Sequence, residues 1–555
     1  MKKVIVFIIA ALMILSLAAC EKNDSQSDDI VILFTNDIHC GIEDGVTLAG
    51  VAYYKNLMKE KTDYVTLVDC GDAVQGSYLG SVSKGEVVID AMNAVGYDLA
   101  IIGNHEFDYG VDVLKGLISK ADAEYLSCNI TYSGSGEDWL ADIKPYTIKE
   151  YGKTKIAFIG IGCPLTIDHS TPTFFQEDGK YVYSFSKEND GKTLFDTVQK
   201  LVDEVRAQGV DYVIALAHLG NLEEYAPYDS ASVIANTSGI DAVLDAHSHL
   251  VYTAYFVENK DGADVICAQT GTKLENLGQL VISPDGIMTV SMISDINKQD
   301  EEVLGKINEA IAKYSELLNE KVAESDTALS INDANGIRAV RNRETAVGDL
   351  CADAYRAIAG TDIAYVNGGG IRADIPEGDI TYADIISVHP FGNTLCAVEV
   401  TGAEILDMLE YFVANCVPET VDFSTGWAVG ESGSFPNMSG IKFTVDTTIP
   451  SSVVMDENEM LLSIDGERRV SDVYVLEGGE YVPIDPEKTY TLASHNYMII
   501  NGGCGMQFML ADHNIILDNS QPDYEVLIDY ITNVLHGDLS AYKDMENRIT
   551  FIREK

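Results

Sequence analysis

Positive charge is scarce in this chain. Against 87 Asp and Glu there are 37 Lys and Arg over 555 residues, a formal net charge of −50. A surface this acidic excludes nucleic-acid backbones and anionic membranes as partners held by general electrostatics. Arginine is nearly absent from the first half, where Arg206 is the one member of ten that precedes residue 330. After the first twenty residues no apolar run is long enough to span a bilayer. The cysteines show no Cys-x-x-Cys spacing, and most lie inside apolar runs, as Cys163, Cys267 and Cys396 do. They read as buried free thiols that behave like small hydrophobes. What remains is a globular composition, 46% hydrophobic, in a chain too long for one core. Two domains plus appendages are expected.

The amino terminus reads as a targeting segment. Lys2-Lys3 precede an apolar stretch at 4–15, and Leu17-Ala18-Ala19-Cys20 closes it with small residues and a cysteine. That ending resembles a bacterial lipobox, which makes residues 1–19 a lipoprotein signal peptide and Cys20 the lipidated first residue of the mature chain. Residues 20–29 are polar and suit a flexible tether. The expectation is an exported protein. Its lipid anchors it on the outer side of the cytoplasmic membrane or facing the periplasm, and that lipid is its one membrane contact.

Strand-like and helix-like stretches alternate over residues 30–295. Residues 300–322 read as one charged amphipathic helix with Val303, Ile307, Ile311, Leu317 and Leu318 on its apolar face, so 296–325 is expected to be a linker helix. A second α/β region then occupies 326–555.

Five polar clusters each follow a β-branched apolar run. The runs are 30–35, 64–68, 99–102, 212–216 and 240–244. The clusters are Asp37-Ile-His39, Gly71-Asp72, Gly103-Asn104-His105-Glu106-Phe107-Asp108, Ala217-His218 and His247-Ser248-His249. Carboxyl ends of strands are where α/β sheets bind ligands. Two metal ions about 3.5–4 Å apart need a bridging carboxylate, several imidazoles and a further oxygen. Asp72 suits the bridge, and Asp37, His39, Asn104, His218, His247 and His249 supply three more groups for each ion. His105, oriented by Asp108, is left to protonate a leaving oxygen or to stabilise charge on a transferred phosphoryl group. A hydroxide activated by the metals would attack phosphorus in line.

The ordered set of motifs resembles the calcineurin-like metallophosphoesterase superfamily. The second half contains Asn367-Gly-Gly-Gly-Ile-Arg372, His389-Pro-Phe-Gly392 and Asn501-Gly-Gly503, which resemble the C-terminal domain of the 5′-nucleotidase and UDP-sugar hydrolase family. The resemblance covers the chain from Ile30 onward. It implies an α/β fold in which an N-terminal layered α/β/β/α metallophosphoesterase domain (30–295) is joined by a helix to a C-terminal α/β substrate-binding domain (326–555). It also implies that Asp37, His39, Asp72 and His249 hold one ion, while Asp72, Asn104, His218 and His247 hold the other. His105 and Asp108 match the family's catalytic dyad. Arg341, Asn367, Gly369, Gly370 and Arg372 match substrate contacts, the glycine run offering backbone amides to an anion, and Phe391 with Tyr497 match an aromatic clamp on the base.

The family pattern Asn-Gly-Gly-Asp-Gly reads here Asn501-Gly502-Gly503-Cys504-Gly505. A thiol is a poor acceptor for two ribose hydroxyls. The expected activity is hydrolysis of phosphate monoesters, foremost nucleoside 5′-monophosphates, with two divalent ions (Zn, Mn or Fe). The alternatives are a 2′,3′-cyclic-nucleotide phosphodiesterase or a UDP-sugar pyrophosphatase. More remote are a sulfur-ester hydrolase and a non-catalytic nucleotide-binding lipoprotein.

Overall fold

The computed structural model describes residues 27–136, 138–170, 172–177, 180–222, 225–334, 336–416, 431–456, 460–506, 513–518, 520–543 and 545–552. The leader, Cys20 and residues 20–26 of the tether lie outside the described residues.

The apolar runs form the strands Ile30–Thr35, Val65–Asp69, Leu99–Ile101, Tyr212–Ala217 and Ala242–Leu244. They are apolar on both faces because both faces are covered, the usual condition of parallel strands. In one six-stranded sheet Ile30–Thr35, Val65–Asp69, Leu99–Ile101 and Glu124–Leu126 run parallel. In a second, Thr154–Ile161, Tyr212–Ala217, Ala242–Leu244 and Asp264–Thr270 do the same. Ile32, Phe34, Val68, Leu99, Ile101, Phe158, Leu216 and Leu244 fill the space between the sheets.

Helices cover the outer faces. Leu48–Lys59 and Glu86–Val95 lie on one side, and Lys192–Ala207 and Ser230–Asn236 on the other. Lys192–Ala207 buries Leu194, Val198, Leu201, Val202 and Val205, a stripe at helical spacing. Each such side chain contributes roughly 1.5–3 kcal/mol by leaving water. The result is the expected α/β/β/α layering, with every parallel strand delivering its carboxyl end to one edge.

The connecting segment differs from the single helix expected. Glu301–Ala312 is a helix, Ser315–Leu318 is a separate short one, and Lys321–Ser325 is a strand paired with Gly378–Thr381. Val303, Ile307, Ala310 and Leu318 are buried in the N-terminal core, but Leu317 is 43% exposed. Tertiary packing ends the helical periodicity at Lys313, and the alternating Lys-Val-Ala-Glu-Ser stretch finds a strand partner.

The C-terminal lobe is built on a five-stranded sheet ordered Pro436–Ser439, Ile363–Asn367, Thr489–His495, Leu395–Thr401, Ile515–Leu517. Helices Ala346–Ala359 and Gly402–Phe412 pack against it. Thr381 and Asp384 form a capping box that starts the helix Tyr382–Val388. Ile386 of that helix enters the N-terminal core. Ser81 Oγ donates to the Pro390 carbonyl. These contacts bring Phe391 up to His105.

Candidate active site

The strand ends share an uncommon backbone geometry. Asp37 (φ 48°), His39 (47°), Asp72 (57°), His247 (76°) and His249 (57°) are all left-handed. Asp and His are among the few L-residues that populate this region at tolerable cost. The turns reverse the chain just past each strand and point side chains from both sheets into one space. Gly71 (φ 90°) is required there for a second reason, since a Cβ would stand 2.8 Å from the Gly103 nitrogen.

Two donor groups result, each with its atoms within 4.8 Å of one another: Asp37, His39 and His249, and Asp72, His218 and His247. The Nε2 atoms of His39 and His249 approach to 3.0 Å. His39 donates its Nδ1 proton to the Gln75 carbonyl and His218 to that of Cys70, each at 2.8 Å, which leaves Nε2 of both rings facing the centre. His218 Nε2 stands 3.0 Å from Asp72 Oδ2 without a well-aligned hydrogen bond, and the buried Asn104 Oδ1 has no hydrogen-bond partner. Burial, with His249 beside it, pushes His39 down to about 3, so its imidazole is neutral and able to ligate. Burial opposes charge on His218 too, but the Asp72 carboxylate overrides it and raises His218 to about 10. The site thus concentrates negative charge that a cation would neutralise. Oxygen and imidazole donors, converging and partly unpartnered, fit two divalent ions.

The third strand end supplies a different pair. His105 Nδ1 lies 2.6 Å from Asp108 Oδ2, and the His105 amide donates to Asp72 Oδ1 at 2.8 Å. Asp108 raises His105 above the ordinary histidine range against the cost of burial. Glu106, quoted with its motif but given no role from sequence, has a definite one. Its buried carboxylate accepts from the amides of Asp72 (2.8 Å), Ala73 (2.7 Å) and Gly103 (2.7 Å). It ties two of the strand-end turns together. Burial and the nearby Asp72 push Glu106 up to about 7.

From the C-terminal lobe, Arg372 and Arg341 are half-buried and near one another, with Arg338 beside them. Arg372 feels the charges of Asp108 and Asp72; burial lowers it to about 10, which leaves it cationic at neutral pH. Arg343 instead turns toward Asp333 (3.7 Å). The Phe391 ring lies 5.1 Å from the Arg372 guanidinium and 6.2 Å from the His105 ring. Tyr497 packs on the C-terminal core beside His495. Among the described residues no ring contact joins Tyr497 to Phe391.

Two expectations change. The Gly368 and Gly369 amides do not face an anion, because they donate to the carbonyls of Phe435 and Gly433. Glycine is needed at 368 because a Cβ would meet the Val340 oxygen at 2.4 Å. Asn367 is also turned inward: its Nδ2 donates to the Gly433 carbonyl and to Cys504 Sγ, and its Oδ1 meets His495 Nε2 at 3.0 Å. Seven of the nine cysteines after Cys20 are buried, and none of the nine is in a disulfide among the described residues.

The family model of the 5′-nucleotidase C-terminal domain matches residues 321–512, and that of the bacterial capsule synthesis protein PGA_cap matches 65–262. The trifunctional nucleotide phosphoesterase protein YfkN of Bacillus subtilis is 27% identical over 91% of this chain, which spans 34% of that relative. The snake venom 5′-nucleotidase of Gloydius brevicauda is 28% identical over 95% of this chain and 89% of its own length. The crystal structure of a 5′-nucleotidase precursor from Thermus thermophilus superposes with a TM-score of 0.75 at 25% identity, covering 95% of this chain and all of that one. Layered fold and strand-end site together define a hydrolase of phosphate esters. More narrowly, residues 321–512 match the 5′-nucleotidase C-terminal domain family, and 5′-nucleotidases resemble the chain over nearly its whole length.

Proposed function

We propose that this protein releases phosphate from nucleoside 5′-monophosphates, outside the cytoplasm and tethered through a lipid on Cys20. The observation that carries the chemistry is the convergence of Asp37, His39 and His249 with Asp72, His218 and His247 beneath the His105–Asp108 pair. Those six residues with Asn104 would hold two divalent ions (Zn, Mn or Fe), which when bound supply an activated water and neutralise charge on phosphate oxygens.

The chain's own groups do the rest. Arg372 and Arg341 grip the phosphate, a geometry suited to guanidinium forks. His105, kept protonated by Asp108, offers its Nε2 proton to the transferring group or the leaving oxygen. Phe391 covers the site and presents a ring face to the base. Asp108 accepts a hydrogen bond from His105 and so fixes which ring nitrogen faces substrate. The 30–295 and 326–555 domains divide this work between ions and anion clamp.

One observation favours broader substrate use. Cys504, where the family has the ribose-binding Asp, packs on Tyr497 and Asn367 and offers no strong acceptor to ribose hydroxyls. Cyclic nucleotides and nucleotide sugars therefore belong in the same test. A phosphate-release screen over nucleoside monophosphates, cyclic nucleotides, nucleotide sugars and simple esters, with Zn, Mn and Fe varied, should give the highest kcat/KM on a 5′-monophosphate. A value about tenfold higher on a cyclic nucleotide or nucleotide sugar would replace this reading. Globomycin-sensitive processing and labelling of Cys20 by a palmitate analogue tests the anchor.

A further inference from the structure

Beside the group of Asp72, His218 and His247 stands a second donor set that the phosphoesterase reading leaves unused. The sulfur of Cys163 and one nitrogen each of His169 and His247 lie within 4.8 Å of one another. The local cause is again a strand end. Thr154–Ile161 finishes just before Cys163, and the short helix Thr166–His169 brings the second imidazole back alongside.

Cys163 Sγ lies 3.8 Å from His247 Nε2. The His169 and His247 rings stack with centroids 5.3 Å apart and planes at 24°. A zinc ion holding sulfur at about 2.3 Å and nitrogen at about 2.0–2.1 Å, at angles between tetrahedral and trigonal, sets the two donors roughly 3.5–3.8 Å apart. The observed separation is already at the long end of that range. Cys163 is buried while both imidazoles are half-buried, so an ion has one side of approach.

We propose that Cys163, His169 and His247 form a third cation position, selective for a soft divalent ion such as zinc, and that it shares His247 with the Asp72–His218 position. This rests on the reading of His247 as a catalytic-ion ligand. Binding converts the Cys163 thiol to a thiolate: the S–H bond breaks, a sulfur–metal bond forms and the proton passes to solvent, while both imidazoles bind neutral. A thiolate favours zinc or cadmium over manganese and magnesium. Because His247 serves both positions, an ion on the third draws a ligand from the catalytic pair, and excess zinc inhibits. The same segment reaches the dyad, since Ser170 Oγ donates to Asp108 Oδ1 at 3.3 Å. The third position therefore adjoins both halves of the catalytic apparatus.

The test is titration of the purified metal-free chain with cobalt(II) chloride, read by absorption, and with zinc, read by bound metal and by phosphate release. The wild type should take up a third equivalent with a thiolate-to-cobalt charge-transfer band, and zinc beyond two equivalents should inhibit. Cys163→Ser and, at a half-exposed position should that variant not fold, His169→Gln should keep the first two equivalents. Each should bind the third at least about 100-fold more weakly, lose the band and resist excess zinc. Saturation of the wild type at two equivalents without the band overturns the proposal, as does a Cys163→Ser variant that retains the third. Failure of the underlying reading looks different: wild type and variants alike would bind fewer than two Cys163-independent equivalents or release no phosphate.

Discussion

Glu106 gives the sharpest test of how the turns are held. Its Oε2 accepts from two amides, those of Asp72 and Gly103, and Oε1 accepts from Ala73. In Glu106→Gln the amide oxygen can keep the two-bond side, which leaves an NH2 facing the Ala73 N–H. One charge-assisted hydrogen bond is lost, about 1.5–3 kcal/mol. The volume is unchanged and the core around it is intact, so the fold should survive. The loss falls on the placement of Asp72, and at about 1.4 kcal/mol per decade it predicts metal binding weakened about 10–100-fold. Direction with pH follows from the same group. Glu106 is raised to about 7 in the folded protein, so it gains a proton as pH falls through that value and then resembles Gln. Wild-type metal affinity should therefore fall from about pH 8 to about pH 6 more steeply than that of the variant, in which this contribution is gone. Chelator competition at several pH values measures both effects, with circular dichroism and urea unfolding as controls for the fold. A folded Gln variant whose affinity and pH slope stay within about twofold of wild type would refute the argument.

Two further outcomes concern catalysis. His105→Ala should lower kcat by about a hundredfold or more with bound metal retained. Because Asp108 raises His105 above its ordinary value, the wild-type rate should be lost as pH rises through that raised value. The variant's profile should lack that limb, and near-normal turnover would remove His105 from the chemistry. Arg372→Ala should raise KM for a nucleoside monophosphate by about 10–100-fold, the worth of a charge-assisted contact. A fall in kcat alone at unchanged KM would show that it does not grip the ground-state phosphate.

The layered fold and the meeting of the five clusters were legible in sequence for one reason. Parallel strands buried on both faces read as β-branched apolar runs, and whatever follows such a run lands at the ligand-binding edge. The same rule applied once more would have found Cys163 and His169 after the strand Thr154–Ile161, but a thiol in an apolar run reads first as core. Glu106 stood inside a quoted motif, yet a carboxylate that serves backbone amides leaves no sequence trace beyond its burial. Periodicity carried the linker helix too far because Leu317 and Leu318 continue the stripe, and only packing shows that one is buried and the other exposed. Nor can a glycine run announce whether its amides face an anion or, as at Gly368 and Gly369, a neighbouring carbonyl.

The left-handed turns at Asp37, His39, Asp72, His247 and His249 carry a consequence for the protein before it meets metal. Each non-glycine residue held there costs on the order of 1–3 kcal/mol, and three of the five side chains, those of Asp37, His39 and Asp72, are buried with the imidazoles pressed against them. A newly made chain without ions therefore holds its most strained backbone and its least compensated charges in one place. That edge should be where the metal-free protein opens first, as early amide exchange at these five turns and faster proteolytic cutting there. Ion loading then acts as the last step of folding for this edge, and metal supply decides how much of the chain endures as well as how fast it works.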